Sequence, residues 1–240
     1  MKVVILCAGL GSRLNSSQPK GFIKIKGQTL LERTIKNFLY YKISKKDIFF
    51  ATGFKKNLIK NKFGMKYSYS FNKKFRNTNM VYTLFNTLKK INNTDILISY
   101  SDITYDKKNI LKLLNDKNNI STLIDFKWKK MWKKKNKLYS DSESLRIMNN
   151  KIVELGKSTR NINKIDGRYV GVIKVSKNVL PEIKKLYNSL LNKNRKKFEN
   201  IDMTNFLNLL IKEKYEISPI KLIGKWNEYD DYIDLNFKYK

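Results

Sequence analysis

The chain has 240 residues, 41% of them hydrophobic, which suits one domain with a core of its own. It carries 51 Lys and Arg residues against 20 Asp and Glu residues, a net charge of +31, and it contains no histidine. The lack of histidine excludes a Ser-His-Asp triad, a histidine-ligated zinc site and a histidine general base. Any chemistry must use carboxylates, Lys, Arg, backbone dipoles or a metal bound by oxygen atoms.

The high positive charge allows two interpretations, a nucleic acid or other polyanion as partner, or a solvated basic surface that also attracts anionic substrates. The basic residues are spread along the whole chain and no nucleic-acid-binding motif accompanies them, so we expect the second. The single cysteine, Cys7, excludes an intrachain disulfide and fits a reducing cytoplasm. No apolar run approaches the roughly 20 residues of a membrane span, and the apolar N-terminus is too short for a signal peptide. We therefore expect a cytoplasmic protein without membrane insertion.

The first half of the chain alternates between predicted strands and helices. Short apolar runs predict strands at 2–7, 47–52, 66–71 and 95–100. Apolar residues at helical spacing predict helices at 30–41, 55–63 and 79–91. Such alternation is typical of an α/β fold with a mainly parallel sheet.

The second half is less regular. It predicts strands at 121–125, 144–148, 151–155, 168–175, 216–220 and 225–229, and helices near 180–191 and 203–212. A last helix should begin at Asp230-Asp231, and 128–137 is a basic segment containing tryptophan. Asn149-Asn150 between two short strands predicts a hairpin, because Asn tolerates the left-handed turn conformation. Neither a repeat nor a linker interrupts the chain, which indicates one compact unit.

Glycines follow the first predicted strand directly. The segment Cys7-Ala8-Gly9-Leu10-Gly11-Ser12-Arg13-Leu14 is followed by Pro19-Lys20. Glycines after a strand let backbone N–H groups approach a phosphate, and nearby cations neutralise its charge. The dinucleotide fingerprint would need a third glycine where Leu14 stands, and the Gly-Lys-Ser/Thr of a P-loop is absent.

Acidic residues occur at two further places. Asp102 follows the apolar strand 95–100, where α/β sheets place ligand-binding groups, although it could also cap the next segment. Glu228 and Asp230 lie two apart, so on a strand they would share one face. Two carboxylates on one face repel each other unless a cation lies between them, which favours a metal site over surface charges on an edge strand.

Several motifs resemble those of one enzyme family. Ala-Gly-x-Gly-x-Arg-Leu followed by Pro-Lys at 8–20 resembles the signature of the sugar-nucleotide and related nucleotidyltransferases. Trp-x-Glu-x-Asp at 226–230 is similar to a motif of the choline-phosphate and 2-aminoethylphosphonate cytidylyltransferases. Further matches to that branch at 79–84, 125–143, 167–174 and 202–207 extend the resemblance over almost the full chain. It departs at Arg168, where Gln is usual, and in the short loop between Leu14 and Pro19.

The resemblance implies a Rossmann-like, mainly parallel mixed sheet flanked by helices, of the nucleotide-diphospho-sugar transferase type, with a small β-hairpin on the acceptor side. A single domain at 1–240 would have its nucleotide-binding half at 1–120, and 121–240 would bind the acceptor and complete the metal site. The implied activity is Mg²⁺-dependent transfer of CMP from CTP to a small phosphorylated or phosphonylated acceptor, with release of pyrophosphate. Phosphocholine, phosphoethanolamine, 2-aminoethylphosphonate and an amino-acid phosphate all suit such a site.

The resemblance also implies roles for particular residues of this chain. Arg13 and Lys20 would stabilise charge at the reacting phosphorus, and Asp102, Glu228 and Asp230 would bind Mg²⁺. The nucleotide would contact Leu6, Ala8, Gly9, Gly11, Ser12, Arg13, Lys20, Asn79 and Ser101. The acceptor would contact Asp125, Trp128, Trp132, Asp141, Glu143, Tyr169 and Lys174. An aromatic wall of Trp128 or Trp132 would suit a cationic head group, but two tryptophans four apart can equally be one helix face packed on the core.

Three other functions stay open from the sequence. A sugar-1-phosphate nucleotidyltransferase would use another nucleoside triphosphate on the same fold. A glycosyltransferase is disfavoured, because Ser101-Asp102-Ile103-Thr104 lacks the second acid of an Asp-x-Asp motif. A polyanion-binding module is suggested by the net charge alone. The sequence also leaves the acceptor and the oligomeric state open, a homodimer included.

Overall fold

The computed structural model describes residues 1–11, 14 and 17–237. The strands are β1 (Lys2–Cys7), β2 (Lys24–Ile25), β3 (Gln28–Thr29), β4 (Ile48–Thr52), β5 (Ser68–Phe71), β6 (Ile96–Tyr100), β7 (Ile103–Tyr105), β8 (Ile120–Asp125), β9 (Glu143–Met148), β10 (Lys151–Ser158), β11 (Arg168–Val175), β12 (Ser218–Lys221) and β13 (Trp226–Glu228). The helices are α1 (Leu30–Tyr40), α2 (Lys56–Phe63), α3 (Met80–Leu88), α4 (Lys108–Asn115), α5 (Trp128–Lys134), α6 (Leu180–Lys193), α7 (Arg195–Glu199), α8 (Met203–Lys212) and α9 (Tyr232–Asn236).

Seven strands form the central sheet in the order β12-β8-β11-β6-β1-β4-β5. The neighbouring strands β6, β1, β4 and β5 run parallel to one another, and β12 runs parallel to β8. In contrast, β11 runs antiparallel to both β6 and β8. This confirms the predicted mainly parallel mixed sheet. Because β11 is reversed, its first residues lie at the same edge of the sheet as the carboxyl ends of β1, β6 and β8. That edge carries the site.

The two faces of the sheet are covered by different helices. Along β1, Val4 and Leu6 belong to one core while Val3 and Ile5 belong to the other, as the alternation of a strand requires. The first core is completed by α3, α6, α8 and the hairpin of β9 and β10, and the second by α1, α4 and α5. Within the described part of the chain, no helix is both long and apolar enough to cross a membrane.

Most predicted elements are confirmed with shifts of a few residues at their ends. The predicted hairpin is formed by β9 and β10, and Asn149 and Asn150 adopt φ values of 48° and 55° at its turn. The sequence did not predict β2, β3, β7, α4 and α7. It missed β7 because this strand has three residues and pairs with β13, more than a hundred residues further along the chain. The predicted strand 225–229 is shorter than expected, so Asp230 lies beyond the end of β13.

Gly171 interrupts the pairing of β11 with β8 at a point close to the site. The register shifts between Tyr169 and Ile173, and Gly171 has a φ of +84°, a conformation that side chains with a Cβ atom disfavour. A Cβ atom at this position would stand 2.7 Å from a ring carbon of Tyr100. Glycine therefore lets β11 bend around the Tyr100 ring.

We expect Gly171→Ala to destabilise the protein by about 1–3 kcal/mol more than Gly64→Ala. Gly64 follows α2 with a comparable φ of +72°, but a Cβ atom there meets nothing within 4 Å. The Gly64 variant thus reports backbone strain alone, whereas the Gly171 variant adds the clash with Tyr100. Urea unfolding of both variants measures the difference, and equal losses of stability would show that the ring does not need this glycine.

Candidate active site

A cavity of about 590 Å³ opens at the edge of the sheet where β1 and β6 end and β11 begins. This volume lies within the range of about 300–1,000 Å³ that is usual for small-molecule sites. Its wall includes the glycine loop after β1, the start of α3, the residues after β6, the start of β11 and the start of α8. The ends of the parallel strands are where open α/β sheets bind ligands.

The glycine loop lies against the side chain of Lys20. Gly11 has a φ of +66°, and a Cβ atom on it would stand 3.0 Å from Cγ of Lys20. Lys20 begins a short 3₁₀ helix, Lys20–Phe22. In this helix the amide N–H of Phe22 donates to the Pro19 carbonyl. Glycine at position 11 thus leaves room for the lysine stem, which extends along the loop into the cavity. Ser12 and Arg13, predicted to bind the nucleotide, lie outside the described residues.

The ammonium group of Lys20 lies between two carboxylates. Its Nζ atom is 3.4 Å from Oδ2 of Asp102 and also contacts Oδ1 of Asp230. The three side chains are largely buried, with between 17% and 24% of each exposed. This contact connects the N-terminal loop, the end of β6 and the segment after β13.

Glu228 adds a third carboxylate to the same wall. The pairing of β13 with β7 sets Glu228 opposite Ile103, and the amide N–H of Tyr229 donates to the Asp102 carbonyl over 2.9 Å. Burial raises the pKa of Glu228 to about 7, opposed by Arg168, and the charge of Asp102 raises it further. The protonated form of Glu228 is therefore favoured more than that of an exposed glutamate.

The donor set fits a hard divalent cation. Mg²⁺ is usually bound by one or two carboxylates together with substrate phosphates and water. Asp102 and Asp230 already share one cation, the Lys20 ammonium, and the Glu228 carboxylate lines the same cavity. Among the described residues no three acidic or cysteine side chains stand together in a way that could hold a metal ion by themselves, so a cation here would need further oxygen ligands from a substrate or water.

Asp234 holds the acidic segment in place from behind. It is 2% exposed, and its carboxylate accepts hydrogen bonds from Nζ of Lys135 at 2.8 Å and Nζ of Lys137 at 2.9 Å. Its Oδ2 atom also accepts from the backbone N–H of Asp230 at 3.0 Å. Burial alone would raise the pKa of Asp234, but the hydrogen bonds from both lysines outweigh it and hold the pKa below its usual value. Asp231 caps α9 in a reciprocal arrangement with Asp234.

The structure brings together most of the residues predicted for the nucleotide and the metal. These residues line the cavity: Leu6, Ala8, Gly9, Gly11, Lys20, Asn79, Ser101, Asp102, Glu228 and Asp230. Asn79 also caps α3, since its side chain accepts from the N–H of Met80. Asp102 does not cap a helix, because β7 follows it directly.

Of the predicted acceptor residues, Glu143 and Tyr169 line the cavity.

Trp128 and Trp132 do not form the expected aromatic wall. Both side chains are 1% exposed on α5, and the Trp132 ring stacks on Trp226 with centroids 5.7 Å apart. Their spacing reflects one apolar helix face packed on the core, the alternative left open by the sequence. Neither residue lines the cavity, so neither ring can receive an acceptor head group.

Three more predicted acceptor residues lie away from the cavity wall. Asp125 is buried and accepts a hydrogen bond from Nε1 of Trp226 over 2.7 Å. Asp141 is half-exposed and contacts Arg168 from outside the cavity. Lys174 lies near the far end of β11, where it donates to the Asp116 carbonyl. It is six residues from Arg168, which corresponds to ~20 Å along a strand. A strand of this length reaches the cavity only with its first residues.

Sequence reasoning did not assign several cavity residues to the site. They include Phe75, Thr78, Tyr100, Arg168, Asp202 and Thr204. Arg168, Asp202 and Thr204 belong to motifs that carried the family resemblance, which was the available signal. Phe75 and Thr78 follow β5 in a loop without a motif, so only the fold shows that they face the glycine loop.

Comparison with known proteins identifies the family. Residues 3–124 match the model of the MobA-like NTP transferase domain. A CTP:phosphoglutamine cytidylyltransferase from Campylobacter jejuni is 33% identical over 98% of both chains. The chain belongs to the MobA-like NTP transferase family. It is a nucleotidyltransferase, as the resemblance of its motifs implied.

Solved structures of the same fold include two CTP-using enzymes. The inositol-1-phosphate CTP transferase from T. maritima has a TM-score of 0.73 at 17% identity, over 98% of this chain and 91% of that one. The CTP:phosphocholine cytidylyltransferase from Streptococcus pneumoniae has a TM-score of 0.71 at 20% identity, over 97% and 95% of the two chains. At these identities the likeness shows the shared fold.

We expect Asp234→Asn to lower the free energy of unfolding by about 3–5 kcal/mol. The change removes the negative charge beside the buried Lys135 and one of the two carboxylates beside Lys137, which also pairs with Asp231 at 2.7 Å. It also weakens the support of the segment that carries Asp230. Urea unfolding measures the loss.

The matched control is Asp47→Asn. Asp47 pairs with Lys2 at 2.6 Å, but both side chains are partly exposed, so its loss should cost less than about 1 kcal/mol. Equal effects of the two substitutions would contradict a structural role for the buried cluster.

Proposed function

We propose that this enzyme transfers CMP from CTP to a phosphorylated amino acid and releases pyrophosphate. The observation that carries the proposal is that one cavity joins the glycine loop, Lys20 and three carboxylates from segments far apart in the chain. The 33% identity to a CTP:phosphoglutamine cytidylyltransferase over nearly all of both chains favours cytidine and an amino-acid phosphate. Among the acceptors open from the sequence, this relative therefore favours the amino-acid phosphate.

The nucleotide would lie on the β1 side of the cavity. Gly9 and Gly11 leave backbone N–H groups accessible to phosphates, and the Lys20 ammonium would neutralise charge at the α-phosphate. Ala8, Leu6 and Asn79 line the same side and would contact the nucleotide. Arg13 would add a second cation at the reacting phosphorus, as the family motif implies.

The acceptor oxygen would attack the α-phosphorus of CTP in line. A bond forms between this oxygen and the α-phosphorus, the bond from the α-phosphorus to the bridging oxygen breaks, and pyrophosphate leaves with the electron pair. The acceptor is anionic near neutral pH, so no general base is needed, in agreement with the absence of histidine. Catalysis then depends on positioning the two substrates and neutralising their charge.

We propose Asp102, Glu228 and Asp230 as the protein ligands of Mg²⁺. When bound, Mg²⁺ would supply Lewis-acid stabilisation of charge on the phosphate oxygens. Lys20 contacts two of these carboxylates, so it holds them together before substrates enter and can turn to a phosphate afterwards. The proposal thus gives Lys20 one role in the free enzyme and another in the complex.

We expect pyrophosphate release with CTP and phosphoglutamine in the presence of Mg²⁺. A panel of phosphocholine, phosphoethanolamine, 2-aminoethylphosphonate and sugar 1-phosphates, each with CTP, UTP, GTP and ATP, tests the selectivity. The kcat/KM should be highest for CTP with the amino-acid phosphate. Turnover only with a sugar 1-phosphate and another nucleotide would contradict the proposal and identify a sugar-nucleotide enzyme.

We expect Asp102→Asn to lower kcat roughly 10²- to 10³-fold, in line with the loss of one electrostatic stabiliser. It should also weaken the binding of Mn²⁺, used as a probe of the metal site and measured by calorimetry with a non-reacting CTP analogue. The control is Glu154→Gln, since Glu154 lies outside the cavity on β10 and contacts Lys157. Near-normal turnover of the Asp102 variant would remove this residue from the site.

A further inference from the structure

The cavity has two sides that differ in their residues. In the sheet, β11 is separated from β1 by β6 alone, which places Arg168 ~10 Å from the glycine loop. Asp102, at the end of β6, lies between the two. If the reacting phosphorus lies near Lys20 and Asp102, the β1 side receives the nucleotide and the β11 side receives the rest of the acceptor. The second side is lined by Glu143, Arg168, Tyr169, Asp202 and Thr204.

Arg168 is held rigidly on this side. Its guanidinium carbon lies 4.3 Å from the centroid of the Trp132 ring, and Nη1 donates to the Asp141 carbonyl over 2.8 Å. Nη2 is 3.4 Å from Oδ2 of Asp141, and the side chain is 11% exposed. Nη2 also lies 3.9 Å from Oε2 of Glu228, an ion pair that is too long for a hydrogen bond. Among the described residues, the contacts with Asp141 are the hydrogen bonds of a group that has five N–H donors. Stacking fixes the guanidinium plane, so its remaining donors can bind a carboxylate with little loss of entropy.

Glu143 provides the opposite charge close by. It begins β9, and its carboxylate makes no hydrogen bond to any described residue although it is partly buried. Burial raises the pKa of Glu143, the Arg168 charge lowers it, and the carboxylates of Asp141 and Asp202 raise it further. A cation placed between Glu143 and Asp202 would therefore be stabilised. Asp202 keeps its position by capping α8, where it accepts from the N–H of Asn205 at 2.8 Å.

We propose that the β11 side of the cavity recognises the free α-amino and α-carboxyl groups of the acceptor, with Arg168 binding the carboxylate and Glu143 the ammonium group. This inference rests on the proposed function and names the determinants of its acceptor. Phosphocholine, phosphoethanolamine and 2-aminoethylphosphonate present only a cation to this side, so they offer no carboxylate to the remaining donors of Arg168. Arg168 thereby selects amino-acid phosphates over other amino-phosphates.

The test pairs a substitution with the matching truncation of the substrate. Arg168→Gln should raise the KM for phosphoglutamine roughly 10- to 100-fold, as expected for the loss of a charged hydrogen bond, with kcat within a few-fold and the KM for CTP unchanged. For the wild-type enzyme, phosphorylated 4-aminobutanamide, which lacks the α-carboxyl group, should show a similar rise. The variant should treat this truncated acceptor as the wild type does, because the interaction is already lost.

A second experiment applies the same design to Glu143 and the ammonium group of the acceptor. Glu143→Gln should raise the KM for phosphoglutamine but not for the phosphorylated monoamide of glutaric acid, which lacks the α-amino group. Arg146→Gln is the matched control, because Arg146 lies on the same hairpin, pairs with Asp166 at 3.5 Å and is absent from the cavity wall. Its kinetic constants should stay those of the wild type.

The outcomes separate this inference from the proposed function. Equal KM increases for intact and truncated acceptors, or a loss of kcat alone, would overturn the role of Arg168 while CTP and phosphoglutamine remain the substrates. Wild-type enzyme that releases no pyrophosphate from CTP and phosphoglutamine would instead overturn the proposed function itself.

Discussion

The site depends on the balance of charge in one cavity. Among the described residues of its wall there are five carboxylates and two cations: Asp102, Glu143, Asp202, Glu228 and Asp230 against Lys20 and Arg168. Carboxylates gathered in a partly buried space repel one another, so each must be matched by a cation or take up a proton. Burial raises the pKa of Glu228 to about 7, and the charge of Asp102 adds to this effect while that of Arg168 opposes it. The excess of negative charge is confined to the cavity, because the chain as a whole carries a net charge of +31.

Segments from near the two ends of the chain meet at this cavity, and polar contacts between them accompany the apolar packing of Trp226. Lys20 reaches Asp230 from the glycine loop, and the Tyr232 hydroxyl donates to the Leu14 carbonyl over 2.9 Å. Behind them, Asp234 joins the lysines after α5 to the backbone of Asp230. A buried ion cluster contributes little net stability, but it requires one arrangement of its members. Such a support suits a segment whose carboxylates must stand at fixed positions.

Much of the fold and part of the site follow from local patterns. The apolar runs and helical spacings predict the alternating first half, and Gly9 and Gly11 mark the loop after β1. Asp102 could be assigned because the strand before it is apolar and its end is a ligand position in sheets of this kind. Glu228 and Asp230 could be assigned as a pair from their spacing, although Asp230 lies beyond the strand. Each of these inferences uses residues close together in the chain.

The sequence by itself determined the α/β class, the glycine loop on the β1 side of the cavity and the acidic residues Asp102, Glu228 and Asp230, since strand ends, glycine loops and close spacings are local features. Only the tertiary structure decided which residues line the cavity on the β11 side. Trp128 and Trp132 have the spacing of an exposed aromatic surface and of a buried helix face alike, and burial of α5 under the sheet selected the second. Arg168, the first residue of β11, lies at the cavity because β11 is antiparallel to its neighbours β6 and β8. Strand order and direction join segments far apart in the chain, and no local pattern encodes them.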